Sequence, residues 1–105
     1  MTRDEFMALI GEFSKERYAI QMSKGEAYSG KEDALDNFKR NAKNLGVSPL
    51  VVWNVYFSKH IDAINSYIRG EYSDTEPIKG RFMDAMNYLE LGYGLIEDGC
   101  TIKEI

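Results

Sequence analysis

Helix start and stop signals are the feature of this sequence that most restricts its fold. Four stretches repeat apolar residues at spacings of three and four, as one face of a helix does. The clearest start is Ser48-Pro49, a capping serine followed by proline in the first turn. Gly46, Gly70 and Gly99 follow apolar stretches, where glycine commonly ends a helix. These signals predict four helices, over residues 3–24, 30–45, 49–69 and 76–98.

Two further starts are indicated by capping boxes. Thr2 precedes Glu5, and Ser29 precedes Glu32, each at the spacing that satisfies the first backbone N–H groups of a helix. No stretch alternates polar and apolar residues with the period of a strand. The sequence therefore predicts an all-α, four-helix bundle. Its 105 residues fit one domain, over residues 1–99, followed by a short tail over 100–105.

The third and fourth predicted helices are apolar over an unusually wide arc, which predicts burial on two sides. One stripe of each helix is assigned to the core, and a second arc is assigned to contact with another copy of the chain. The predicted core contains Phe6, Leu9, Phe13, Leu35, Phe38, Trp53, Phe57, Ile61, Ile64, Phe82, Leu89 and Ile96. The predicted homo-oligomer interface contains Tyr56, Tyr67, Tyr88, Leu91 and Leu95.

Charge and composition exclude several classes of function. Thirteen basic against seventeen acidic residues give a net charge of −4, which disfavours binding to a nucleic-acid duplex. One histidine and one cysteine cannot build a histidine-rich zinc site or an internal disulfide. No glycine-rich phosphate loop is present, and no apolar run is long enough to span a membrane. We therefore expect a cytoplasmic protein without a membrane partner.

Carboxylates offer one candidate site. Glu32 and Asp36 lie four residues apart, on one face of the second predicted helix, and Asp84 lies among apolar residues of the fourth. Paired carboxylates at this spacing suit Mg²⁺, although acidic residues in a first turn are also favoured by the helix dipole alone. Arg81, three residues before Asp84, is the expected ion-pair partner of that carboxylate.

Aromatic and cationic residues offer a second candidate site, which needs no metal. Lys59 and His60 follow one another on the third predicted helix, close to Tyr56. Arg81 offers a planar fork that suits phosphate, and tyrosine rings offer faces on which a base can stack. The predicted ligand-binding residues are Tyr56, Lys59, His60, Arg81, Asp84 and Tyr88. A partly buried histidine with an ordinary structural role explains His60 equally well.

Four segments of the chain resemble small all-helical proteins of phages and prophages. The resemblance rests on residues 25–38, Lys59-His60, residues 76–78 and residues 84–89, and it extends over nearly all of the chain after residue 15. It is looser to nucleotide-modification-associated domains and to the all-α nucleoside triphosphate pyrophosphohydrolases of the MazG type. In the latter family, Glu-Glu-x-x-Glu and Glu-x-x-Asp motifs hold Mg²⁺ against a triphosphate.

The two motifs are matched unequally here. Glu32-Asp33-x-x-Asp36 imitates the first motif conservatively, whereas Arg81-x-x-Asp84 departs from the second, because arginine replaces a metal ligand. The resemblance implies a phage-type protein that binds a phosphorylated nucleotide without turnover and so sequesters a host immune signalling nucleotide. A Mg²⁺-dependent nucleotide pyrophosphohydrolase using Glu32, Asp36 and Asp84 is one alternative. A small acidic inhibitor that contacts a host defence enzyme directly is the other. Each would act in the cytoplasm of an infected or lysogenic bacterium.

Overall fold

The computed structural model describes residues 1–29 and 32–101, with side chains for 1–23 and 32–101. Its helices are α1 (Arg3–Ser29), α2 (Asp36–Leu45), α3 (Pro49–Ile68) and α4 (Ile78–Glu97), and these described ranges contain no strand. The predicted all-α class is therefore confirmed. The chain divides into two compact units, Met1–Ala34 and Leu35–Ile105. The prediction of one domain over 1–99 with a tail over 100–105 stays a prediction.

The start of α3 is capped as the sequence predicts. The Ser48 hydroxyl oxygen accepts a hydrogen bond from the backbone N–H of Leu50 at 3.2 Å, and Pro49 occupies the first turn. The same hydroxyl donates to the backbone carbonyl of Thr101 at 2.7 Å, and Ser48 is fully buried. One side chain thus caps α3 and fixes the chain beyond α4. Gly70, with φ +76°, follows the end of the helix.

The ends of α1 and α2 differ from the predicted ones. The Thr2 hydroxyl accepts the N–H of Glu5 at 3.1 Å, which confirms the first cap. However, α1 continues past Gly25 to Ser29, so the predicted end at residue 24 is wrong. The capping box predicted at Ser29 falls on side chains outside the described ones. An internal glycine costs a helix only about 1 kcal/mol relative to alanine, which neighbouring residues can offset. Residues 30 and 31 lie outside the described residues, and α2 begins at Asp36 instead of residue 30.

The second unit is built on a small core shared by its three helices. Helix α3 packs against both α2 and α4. The buried apolar residues at the centre are Phe38 and Ala42 of α2, Val52 of α3 and Leu95 of α4. Leu35 and Trp53 pack against this centre, as predicted for the core. This packing sets the inner faces of α3 and α4 against each other.

Helix α4 buries the opposite face from the predicted one. Phe82, Leu89 and Ile96, predicted for the core, are exposed, whereas Leu95, predicted for the oligomer interface, has no exposed surface at all. Tyr88 and Leu91, also assigned to that interface, pack against the core but stay partly exposed. The interface prediction is therefore wrong for Leu95, and for Tyr56, Tyr67, Tyr88 and Leu91 it stays a prediction. In the first unit, the predicted core residues Phe6 and Leu9 are exposed as well.

Close approach of α3 and α4 explains which face is buried. A Cβ atom at Gly92 would lie only 2.5 Å from Cε2 of Trp53, so the indole ring occupies space that any other residue would fill. The Trp53 Nε1–H donates to the backbone carbonyl of Tyr88 at 2.5 Å. The Trp53 ring also stacks on Phe57, with ring centres 5.0 Å apart.

None of the described helices is long and apolar enough to cross a membrane.

Candidate ligand site between α3 and α4

Helices α3 and α4 bring together five of the six predicted ligand-binding residues. Tyr56 and His60 come from α3, and Arg81, Asp84 and Tyr88 come from α4. Spacings of three and four residues place each set on one helix face. We call this group of five residues the seam. The sixth predicted residue, Lys59, is exposed on α3 beside His60, so it borders the seam.

His60 lies at the centre of the seam and is buried. Its Nδ1 atom lies 3.2 Å from Nη1 of Arg81, and a guanidinium can only donate hydrogen bonds, so Nδ1 must accept. The imidazole therefore carries its proton on Nε2. Burial lowers the pKa of His60, the Asp84 carboxylate 3.8 Å away raises it less strongly, and Arg81 and Lys59 lower it further. His60 is thus neutral at pH 7.

Arg81 is held by the connection between α3 and α4, residues 69–77. Its Nη2 group donates to the Asp74 carboxylate, and its Nε lies 3.3 Å from Oε2 of Glu76. A hydrogen bond with Tyr72 adds to these contacts, which together raise the pKa of Arg81. The predicted ion pair between Arg81 and Asp84 is therefore wrong, because Arg81 turns towards this connection instead. The hydrogen bond from Arg81 also lowers the pKa of Asp74.

The connection itself is folded around these contacts. The Tyr72 hydroxyl donates to the backbone carbonyl of Glu76 at 2.5 Å, and Oδ1 of Asp74 accepts the backbone N–H of Glu76 at 3.1 Å. None of these three residues is among the predicted site residues. The signal available was two acidic residues shortly before an arginine on a largely apolar helix. An arginine can be buried in such a place only when carboxylates pair with it.

An aromatic cluster forms the other half of the seam. The rings of Tyr56 and Tyr88 are nearly parallel, at 19°, with centres 6.3 Å apart. Phe38 of α2 meets both rings edge-on, and the His60 ring lies 5.1 Å from that of Tyr88. Tyr56 is exposed whereas Tyr88 is half-buried. Tyr56 thus packs against two rings and stays partly exposed, and His60 contacts both Tyr88 and Arg81.

The predicted metal ligands are divided between the two units of the chain. Glu32 is exposed in the first unit, Asp36 pairs with Arg40 one turn along α2 at 3.2 Å, and Asp84 faces His60. No group of three histidine, cysteine, aspartate or glutamate side chains within residues 1–23 and 32–101 is placed to hold a metal ion. The magnesium set stays a prediction.

Comparison with known proteins adds no relative. A scan against protein-family models, a search of curated proteins and a search of solved structures each find no significant match to this chain. Function therefore has to be inferred from the residues of the chain and their contacts.

Proposed function

We propose that the seam binds a phosphorylated nucleotide and holds it without turnover. The observation that supports this proposal is a continuous series of contacts that begins at Arg81. Arg81 contacts His60, and the His60 ring lies beside Tyr88. Tyr88 in turn lies nearly parallel to the exposed Tyr56. A guanidinium fork suits a phosphate, and a tyrosine face suits a base. His60, being neutral, contributes a hydrogen-bonding imidazole instead of a positive charge, so Lys59 supplies the second cation.

Asp74 determines how a phosphate reaches Arg81. The Arg81 side chain is only 11% exposed, whereas that of Asp74, on the connection, is 36% exposed. A phosphate oxygen that replaces the Asp74 carboxylate exchanges one anionic acceptor for another at Nη2. The displaced carboxylate turns into water, where its solvation costs little. Asp74 therefore acts as a competitor that occupies the arginine until a ligand arrives.

Binding without hydrolysis is favoured by the carboxylates at the seam. Metal-dependent cleavage of a pyrophosphate needs several oxygen ligands around one cation, as well as an activated water. Asp74 and Glu76 are already engaged by Arg81, and Asp84 faces His60. Together with the resemblance to phage proteins, this supports sequestration of a host signalling nucleotide as the function.

Calorimetric titration tests the proposal. Purified protein is titrated with ATP, GTP and cyclic dinucleotides, with and without Mg²⁺, and recovered nucleotide is examined by chromatography. We expect one of these nucleotides to bind and to be recovered intact. Asp74→Asn should bind it about tenfold more tightly, because a neutral amide competes for the arginine less strongly than a carboxylate does. Arg81→Lys should bind it about tenfold more weakly, since it keeps the charge and loses the fork.

Arg40→Lys is the matched control, because Arg40 is an exposed arginine of α2 paired with Asp36. It should bind nucleotide as the parent protein does. The proposal is refuted if no nucleotide in the panel binds, or if Asp74→Asn and Arg81→Lys both bind like the parent. Release of pyrophosphate in Mg²⁺ would establish the hydrolase alternative instead. Absence of nucleotide binding would leave the direct inhibitor of a host enzyme as the better explanation.

A further inference from the structure

The outer face of α4 carries a stripe of large apolar side chains that the other helices of its own unit, α2 and α3, leave exposed. Their exposed fractions range from 43% to 64%, in a helix whose opposite face supplies the core. The successive spacings along the chain are four, three, four and three residues. This pattern is typical of two helices that pack side by side along their length. We call this stripe the outer stripe; it consists of Phe82, Met86, Leu89, Tyr93 and Ile96.

We propose that the outer stripe is the interface of a dimer, in which α4 packs antiparallel against α4 of a second copy. Leu89 is the middle residue of the stripe, so a two-fold axis passing beside it places Phe82 of one copy against the partner's Ile96. A two-fold interface requires a surface that is complementary to itself. The outer stripe meets this requirement because its apolar residues are spaced almost symmetrically about Leu89.

Charge complementarity favours a second copy as the occupant. The exposed Lys79 lies at the start of the stripe, and the exposed Glu97 lies at its end. Antiparallel pairing brings each lysine to the partner's glutamate, twice per dimer, whereas parallel pairing would bring like charges together. An anionic membrane surface fits less well, because acidic Glu90 and Glu97 border the stripe and the chain carries a net charge of −4.

The available area sets the expected affinity. A large aromatic side chain buries 150–250 Å² when it is fully covered. Two of the five side chains are aromatic and each of the five is about half exposed, so together they offer at most roughly 400–600 Å² per copy. Two copies would bury roughly 800–1,200 Å², at the low end of specific interfaces. We therefore expect dissociation in the micromolar range, and a mass that depends on concentration.

Light scattering coupled to size exclusion tests the dimer. At several hundred micromolar, the parent protein should approach twice its chain mass of 12.0 kDa, and it should return to the chain mass on dilution. Leu89→Glu places two carboxylates together on the axis and should give only monomer over the same range. Val55→Glu is the matched control, because Val55 is an exposed apolar residue of α3 outside the stripe. It should associate like the parent.

A charge exchange tests the antiparallel arrangement. Glu97→Lys alone should weaken association by about fivefold or more, since two exposed ion pairs become repulsive. Adding Lys79→Glu to it should restore the parent affinity. Circular dichroism on each variant confirms that its helices are intact. A parent that stays monomeric at several hundred micromolar would overturn the proposal, as would a Leu89→Glu variant that still dimerises. Failure of the double exchange to restore affinity would overturn the antiparallel arrangement.

Disulfide cross-linking tests the dimer with substitutions that leave the fold intact. In a Cys100→Ser background, Leu89→Cys puts one cysteine next to the two-fold axis, so oxidation should join two copies rapidly. Val55→Cys in the same background should cross-link slowly. Equal rates would contradict the position of the axis. Formation of a complex with a different protein, and no self-association, would likewise refute the second copy as the occupant.

Discussion

Replacing Gly92 by alanine should destabilise the protein, although alanine is the better helix former. The added methyl would lie 2.5 Å from Cε2, 2.6 Å from Cζ2 and 2.9 Å from Nε1 of Trp53. Overpacking of this kind costs about 1–3 kcal/mol. Displacing the indole also weakens its hydrogen bond to the Tyr88 carbonyl, worth about 1 kcal/mol. The higher helix propensity of alanine relative to glycine offsets about 1 kcal/mol of this destabilisation. The expected loss in free energy of unfolding is therefore about 1–3 kcal/mol.

Urea unfolding followed by fluorescence measures this loss, because Trp53 is the only tryptophan of the chain. Gly94→Ala is the matched control on the same helix. A Cβ atom there would meet only Leu35, at an ordinary 3.7 Å, so this variant should gain up to about 1 kcal/mol. Circular dichroism should show a smaller penalty for Gly92→Ala in a Trp53→Phe background. A Gly92→Ala protein as stable as the parent would refute the close approach of α3 and α4.

Three further predictions concern single side chains. Ser48→Ala removes the cap of α3 and leaves the Thr101 carbonyl without its donor, so thermal unfolding should show a loss of about 1–2 kcal/mol. Burial lowers the pKa of His60 below its ordinary 6.5, so the unfolded chain binds that proton more readily. Stability should therefore be full above pH 6.5 and fall below it, and urea titrations at pH 7 and pH 5 should show a smaller fall for His60→Gln. Lys39→Ala, which breaks the exposed ion pair with Asp98, should cost at most about 1 kcal/mol, and less in high salt; a larger cost in 1 M salt would contradict an exposed pair.

Local chemistry explains which helix ends could be predicted. Ser48, Pro49 and Gly70 each begin or end a helix through the backbone next to them in the chain. The sequence therefore predicts the bounds of α3 to within one residue. The Ser29 capping box has the same spacing as a true cap, but α1 ends at Ser29 and α2 begins only at Asp36. Whether such a box is used depends on what the neighbouring residues gain from staying helical. That balance cannot be deduced from the spacing of two residues.

The face that α4 buries could not be predicted because both of its faces are apolar. The stripe that the sequence analysis assigns to the core contains Phe82 and Leu89, yet both are exposed, and the helix buries the side that contains Gly92 and Leu95. Small residues allow α3 to come near enough for the Trp53 ring to fit, which is a property of a pair of helices. The periodicity of one helix contains no information about its partner.

The seam was predictable where it depends on regular helices. Tyr56 and His60 share one helix face, as do Arg81 and Tyr88, and a short connection makes α3 and α4 neighbours. The partners of Arg81 were not predictable. Asp74 and Glu76 reach it through irregular backbone, which has no period from which their directions could be deduced.

The contacts around Arg81 also bear on the speed of folding. Asp74, Glu76 and Tyr72 all lie within ten residues of Arg81 along the chain, so closing these contacts costs little loop entropy. Contacts that are local in sequence form early and favour rapid folding. Helices α3 and α4, joined at this end, can act as a hairpin on which α2 later condenses. Substitutions at Asp74 should then slow refolding in proportion to the stability they remove, whereas substitutions at Phe38 should mainly accelerate unfolding.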